Sequence, residues 1–463
     1  MGLLPLLLLL SFLSLSSAEI ARSIGINYGQ LGNNLPTPSH SISLVQSLNA
    51  HRVKIYDANP SILTALSKTQ LQVSIMVPNQ AISNISTNQS AADEWVCNNL
   101  LPFYPKTLIR YLLVGNEILS DTSNKQVWYD LLPAMRKIKW SLKSYNISNV
   151  KVGTPLAMDA LQTTFPPSNG TFRPDISDTV MKPMLQFLYR TKSFYFVDVY
   201  TYFAWAASPK TISLDYALLK PTNITYADPV SGLTYTNLLD QLLDAVYAAM
   251  TRVGFPGVRI AIAETGWPNA GDFDEIGANI YNAAIYNRNL ARKMAVKPAL
   301  GTPARPGRVI PTFIFSLFNE NQKTGPGTER HWGLFYPNGT GIYEVDLTGK
   351  LPDSAYKSLP APTNNEPYKG KIWCVVVEGK VNATDLGGAL TYACGQGNGT
   401  CNAIQPGKAC YHPNTLVSHA SYAFNLYWQQ FRSVGGTCYF NGLAVQTIND
   451  PSYGSCKYPS LTN

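Results

Sequence analysis

Three apolar runs in this chain end on a glutamate: Ile109-Arg110-Tyr111-Leu112-Leu113-Val114-Gly115-Asn116-Glu117, Val258-Arg259-Ile260-Ala261-Ile262-Ala263-Glu264, and Thr312-Phe313-Ile314-Phe315-Ser316-Leu317-Phe318-Asn319-Glu320. Runs of this kind read as strands buried on both faces of a parallel sheet. In the second, Thr265-Gly266-Trp267-Pro268 breaks the strand just past the acid. One glutamate after a core strand is ordinarily a cap or a surface acid. Three in one chain point to a single pocket lined by carboxyls. Cleaving a glycosidic bond needs such a set: one carboxylic acid to protonate the leaving oxygen and a carboxylate facing it. Glu117 and Glu264 would face each other across the pocket. A separation of roughly 5–5.5 Å between them would mean retention of configuration, and a wider gap inversion. Asn116 could hold a sugar 2-hydroxyl, and Glu320, Lys323 and Glu329 could tune acidity or bind neighbouring sugars. The histidines, at positions 40, 51, 331, 412 and 419, are scattered, and no nucleophile elbow is present, so neither a metal, a cofactor nor a Ser-His-Asp site is expected.

The elements that would position these groups alternate along the chain. Strands are expected at 24–28, 53–56, 73–77, 111–114, 150–154, 196–200, 260–263 and 313–315, separated by helical patterns such as 238–247, closed by Gly254. Eight strands over this length predict an α/β fold, a (β/α)8 barrel with its active site at the carboxyl ends of the strands. An open doubly wound sheet is the alternative, but Gly29-Gln30-Leu31-Gly32-Asn33-Asn34 is not a phosphate-binding turn. Tyr28, Tyr56, Tyr200, Tyr202, Phe203 and Trp267 fall near strand ends. Aromatic planes beside acids suit sugar rings, although half of such residues could be plain core.

Composition bounds the setting. The first eighteen residues, rich in leucine and ending Ser16-Ser17-Ala18, read as a secretory signal peptide. No later stretch is long and apolar enough to span a membrane, and the polar C-terminus lacks a lipid-anchor tail. Sequons at Asn84, Asn88, Asn146, Asn169, Asn223, Asn338, Asn382 and Asn398 agree with secretion to the extracellular space or cell wall. The net charge of +8 comes with only 14% charged residues and no basic block, which excludes a nucleic-acid footprint. Of seven cysteines, Cys97 stands alone in a helical pattern and is expected to be buried and unpaired. Six crowd the last hundred residues, as in a small domain with three disulfides, and none has zinc-ligand spacing. Between the two parts, residues 351–371 carry Pro352, Pro360, Pro362, Pro367 and Asn364-Asn365, a linker composition. The expected organisation is a signal peptide at 1–18, a barrel at 19–350, a linker at 351–371 and a disulfide-rich module at 372–463.

The barrel segment resembles the plant β-1,3-glucanases of glycoside hydrolase family 17. The resemblance rests on Ile26-Asn27-Tyr28-Gly29, Lys54-Ile55-Tyr56-Asp57, Val114-Gly115-Asn116-Glu117, Glu264-Thr265-Gly266-Trp267-Pro268 and Phe318-Asn319-Glu320-Asn321-Gln322-Lys323. It implies Glu264 as nucleophile and Glu117 as acid/base, with Tyr56, Glu320, Lys323 and Glu329 around them. Two departures are local: Asp198-Val199-Tyr200-Thr201-Tyr202-Phe203 stands where the family usually has Asn and Tyr-Pro-Tyr-Phe, and His331-Trp332 replaces a more usual Phe. The last hundred residues resemble the plant carbohydrate-binding module of family 43, through Trp373-Cys374-Val375, Tyr392-Ala393-Cys394, Cys410, His419 to Asn425, Tyr427 and Asp450 to Cys456. That resemblance implies an α+β module binding β-1,3-glucan, with pairs Cys374–Cys438, Cys394–Cys401 and Cys410–Cys456. His419 to Tyr427 reads as an amphipathic helix on which Tyr422 and Phe424 face either core or sugar. The combined expectation is a secreted, monomeric endo-β-1,3-glucanase acting on callose-like glucan with retention. The rival is a wall protein that binds glucan through an inactive barrel.

Overall fold

The computed structural model describes residues 24–379 and 381–461, so the expected signal peptide lies outside the described residues. The barrel opens with β1 (Ile24–Tyr28), α1 (Pro38–Ser47), β2 (Arg52–Ile55), α2 (Pro60–Leu66) and β3 (Gln72–Val77). It continues with α3 (Ile82–Thr87), α4 (Gln89–Asn99), β4 (Leu108–Val114) and α5 (Gln126–Ser144). Next come β5 (Lys151–Gly153), β6 (Pro155–Ala157), α6 (Lys182–Thr191), β7 (Phe194–Asp198) and α7 (Thr201–Ala207). It finishes with α8 (Leu238–Arg252), β8 (Arg259–Thr265), α9 (Ile280–Ala295) and β9 (Thr312–Ile314).

All pairings within this sheet are parallel, in the order β5-β4-β3-β2-β1-β9-β8-β7-β6. The two ends of that order are β5 and β6, which only Thr154 separates. They are halves of one stave: β5 pairs with β4, β6 with β7, and the ring closes. The fifth expected strand, 150–154, therefore covers only the first half of its stave, which breaks at Thr154 and continues as β6, and the barrel has eight staves from nine segments.

Helix starts reflect local capping chemistry. Thr37, Asn59, Asn237 and Asn279 each accept a backbone N–H of the first turn, and α1 and α2 place a proline at the start, where its missing N–H costs nothing. Helix α8 is buried on nearly every face and ends before Gly254, whose φ of 94° only glycine takes easily.

The C-terminal module pairs β10 (Trp373–Val376) antiparallel with β11 (Ala444–Thr447), flanked by α10 (Ala383–Gln396) and α11 (Leu416–Phe431). Its core holds Ile372, Ala420, Phe424 and Trp428, and the disulfides are Cys374–Cys438, Cys394–Cys401 and Cys410–Cys456. Tyr422 and Phe424 are both buried. Residues between barrel and module lie against the barrel. Asn364 Nδ2 donates to the carbonyls of Glu275 (3.0 Å) and Ala278 (3.1 Å), and Asn365 Oδ1 accepts from Asn279 (3.0 Å) and Asn282 (2.7 Å).

Cys97 corrects an expectation: it is unpaired but exposed. Helix α4 buries Ala92 and Val96, and one residue beyond Val96 turns about 100° away from that face. Of the sequon asparagines, Asn169 is half-buried and the other seven are exposed. No helix of the described residues is long and apolar enough to cross a membrane.

Candidate active site

A cleft of about 500 Å³ opens at the carboxyl ends of the strands, lined by Tyr56, Asn116, Glu117, Tyr200, Phe203, Glu264, Phe315, Glu320, Lys323, Glu329 and Trp332 among others. Glu264 lies at its floor. The pairing of β8 slips between Ile262 and Glu264, an irregularity at the strand end where the carboxylate enters the cleft. Its Oε1 accepts from Lys54 Nζ (2.8 Å) and the Tyr56 hydroxyl (2.5 Å), and its Oε2 from the Tyr200 hydroxyl (2.7 Å). Burial by itself would raise the pKa of this group, but Lys54 and the three hydrogen bonds override it and hold the carboxyl below its ordinary value. Lys54 has no solvent exposure, and its ammonium also lies 4.0 Å from the Tyr56 ring centroid. Burial and the Glu264 charge raise Tyr56 and Tyr200 well above a normal phenol, so both remain donors.

Glu117 has the opposite environment. It sits beyond β4 at φ 51°, after Gly115 at φ 70°, and its N–H donates to Pro155 O (3.1 Å). That left-handed backbone turns the side chain off the strand axis and into the cleft. Burial, then repulsion from Glu264, pushes its carboxyl up to about 7. Beside it, Asn116 is fixed by its backbone: N–H donates to Asn79 Oδ1 (2.8 Å) and its carbonyl accepts from Asn79 Nδ2 (3.1 Å). Its own side-chain oxygen has no protein partner. Glu320 accepts from the Leu31 N–H (2.8 Å) and packs so closely on Gly29 that a Cβ there would collide with its carboxylate. Lys323 Nζ stands 3.5 Å from Glu329 Oε2 and 4.1 Å from the Phe315 ring centroid.

The aromatic residues divide into two layers. Tyr200, Phe203, Phe315 and Trp332 form one wall, with Tyr200–Trp332 centroids at 4.9 Å and Phe203–Trp332 at 5.7 Å. Tyr202 and Trp267 lie behind it, buried, with centroids 5.2 Å apart and the Trp267 indole N–H donating to Gly277 O (2.7 Å). They carry the wall without lining the cleft. The structure also gives roles to groups that the sequence showed only within longer stretches or, for Tyr200, among the strand-end aromatics. Lys54 is one, Tyr200 as a donor to Glu264 is another, and Asp198, beneath both acids, is a third. Among the described residues no cluster could hold a metal ion.

Residues 24–347, well over half the chain, match the glycosyl hydrolases family 17. The chain belongs to that family. Residues 372–445 match the X8 domain. Within family 17, the Arabidopsis thaliana protein named probable glucan endo-1,3-beta-glucosidase A6 is 56% identical over 444 residues, 96% of this chain and 92% of that one. The glucan endo-1,3-beta-D-glucosidase of Olea europaea is 38% identical over 461 residues, 99% and 98% of the two chains. Among solved structures, CJP38, a beta-1,3-glucanase and allergen of Cryptomeria japonica pollen, superposes with a TM-score of 0.66 at 40% identity. It covers 70% of this chain and 99% of its own. A plant beta-glucan endohydrolase gives 0.63 at 34% identity, with the same coverage. The family 17 match spans the larger cluster of the barrel, and the X8 match spans the module's cluster around Phe424 and Trp428.

Proposed function

We propose that this protein is a secreted endo-β-1,3-glucanase that hydrolyses internal bonds of callose-like glucan with retention of configuration. One observation carries the reading: two carboxyls on one cleft are pushed apart, Glu264 held ionised by Lys54, Tyr56 and Tyr200 while Glu117 rises to about 7. In the first step the Glu117 carboxyl gives its proton to the glycosidic oxygen. The C1–O bond breaks as a Glu264 oxygen bonds to C1. In the second, Glu117, now a carboxylate, takes a proton from water whose oxygen attacks C1 and releases Glu264. On this reading the Asn116 side-chain oxygen, which has no protein partner, takes a sugar 2-hydroxyl, and the aromatic wall takes sugar faces. The catalytic domain on this reading is residues 19–350, and the X8 module contributes a second hold on the same polymer.

Reducing-sugar release from a linear β-1,3-glucan by the wild type, Glu264→Gln and Glu117→Gln tests this. Both variants should lose activity by about 10³-fold or more while still binding glucan. A wild type that binds but releases no sugar would establish the glucan-binding alternative instead.

A further inference from the structure

Asp198, the last residue of β7, pairs in register with Glu264 on one side and Ala157 on the other. It is 2% exposed, and neither carboxylate oxygen has a hydrogen-bond partner among the groups around it. Each donor facing it is committed elsewhere. Lys54 from β2 and Tyr56 beyond it are bonded to Glu264, and so is Tyr200, two residues past β7. Tyr195, on β7 itself, has an unpartnered hydroxyl, but three residues along a strand it lies on the opposite face from Asp198, its ring against Phe172 at 6.2 Å. The remaining charged neighbours are acids: Glu264 and Glu117, whose carboxyl is within hydrogen-bond reach. A buried carboxylate with carboxylates for company and no donor of its own is unfavourable, and Lys54, the one charge that acts the other way, is already bonded to Glu264. A proton on Asp198 removes the conflict, because it turns an acceptor facing an acceptor into a donor facing Glu117.

We propose that Asp198 is a neutral carboxylic acid in the working enzyme and donates its O–H to Glu117. It is a positioning residue for the acid/base, and the proposal rests on that reading of Glu117. When Glu117 surrenders its proton in the first step, the Asp198 hydrogen bond stabilises the carboxylate left behind and aims it at the incoming water. Asp198 keeps its own proton throughout, so the site gains no further negative charge. Burial and the neighbouring acids, which raise the Asp198 carboxyl well above its ordinary value, agree with this state.

Asp198→Asn and Asp198→Ala, compared with the wild type, test the proposal. Asparagine is also neutral and also donates, so kcat/KM should stay within roughly threefold and the basic limb of its pH profile should not move. Alanine removes the donor. Its kcat/KM should fall roughly tenfold or more, with the basic limb displaced to higher pH because the Glu117 carboxylate has lost a partner. A purely structural role would leave both limbs in place. An ionised Asp198 would give the contrary result, a basic limb in Asp198→Asn lowered by about one pH unit or more as a negative charge beside Glu117 disappears.

A second readout is independent of Glu117. A carboxyl whose folded-state value is raised binds more protons folded than unfolded, so its contribution to stability declines as pH rises. The melting temperature of Asp198→Asn should therefore gain on the wild type between pH 4 and pH 8; a constant difference would overturn the neutral acid. If Glu117→Gln keeps full activity, the acid/base assignment fails, and the melting comparison still decides the state of Asp198.

Discussion

At the scale of single residues, the cleft turns on how Glu264 is kept charged where it is almost wholly buried. Among the described residues, Lys54 supplies the only ammonium bonded to it. Lys54→Met would leave a buried carboxylate uncompensated, at a cost of about 3–5 kcal/mol near neutral pH. Glu264 lies below its ordinary value in the wild type, so its contribution to stability is present above the unfolded value and fades as pH falls. The penalty in Lys54→Met should accordingly shrink in acid, where Glu264 takes up a proton instead. The acid limb of kcat/KM should move to higher pH, with a loss of about 100-fold at the former optimum. Both are read from one pH series of activity and melting. The acids were legible in the sequence because each ends an apolar run, a pattern that survives without any knowledge of packing. Lys54 and Asp198 were not. Each sits inside a strand or at its last position among apolar neighbours, and only barrel closure brings β2, β7 and β8 to one point.

At the scale of elements, the cleft is built from loops that lean on one another. The segment 327–330 carries Glu329 and is tied to the loop after β8. Glu275 Oε1 accepts from the Thr328 hydroxyl (2.6 Å) and Oε2 from the N–H groups of Thr328 (2.9 Å) and Asp272 (2.7 Å), while Asp272 Oδ2 accepts from the Gly327 N–H (2.9 Å). Burial pushes Glu275 up to about 7. Without this carboxyl the N–H groups of Thr328 and Asp272 lose their acceptor. Glu275→Ala should thus loosen the Glu329 segment, raising KM for glucan about three- to tenfold with little change in kcat. Steady-state kinetics would check it, and an unchanged KM would show that the tie is irrelevant to the cleft. The strand count was readable from the alternation of apolar runs and helices. The break at Thr154 was not, because a strand that changes partners midway keeps the same apolar pattern on both halves. The division of the aromatics was equally hidden: Phe203 and Tyr202 are neighbours in sequence, yet one faces the cleft and the other supports it.

At the scale of the whole molecule, the module is seated on the catalytic end of the barrel. Gln446 of β11 accepts from the Phe273 N–H (2.9 Å) and donates to Asp274 (2.8 Å), and Arg330 stacks over the Tyr439 ring at 3.9 Å. Hollows of about 690 and 680 Å³ flank this seam, the first lined by Tyr392, Tyr427 and Tyr439 together with Thr324 and Gly325, which adjoin Lys323 of the cleft. Gln446→Ala combined with Tyr439→Ala should leave hydrolysis of short soluble oligosaccharides unchanged and lower the rate on insoluble glucan several-fold, as measured by parallel assays on the two substrates. The proline-rich composition of residues 351–371 suggests a tether, and the asparagines within it explain why it is not one: Asn364 and Asn365 are spent on the barrel surface.

That seating bears on the fate of the polymer after each cut. A module swinging freely would release or keep either half of a severed chain without preference. Held in one orientation beside the cleft, it retains the half that lies on its side and lets the other diffuse away. Successive scissions would then cluster on the retained strand, and the mixture of fragments early in digestion would be uneven, a few polymers much shortened among many still intact.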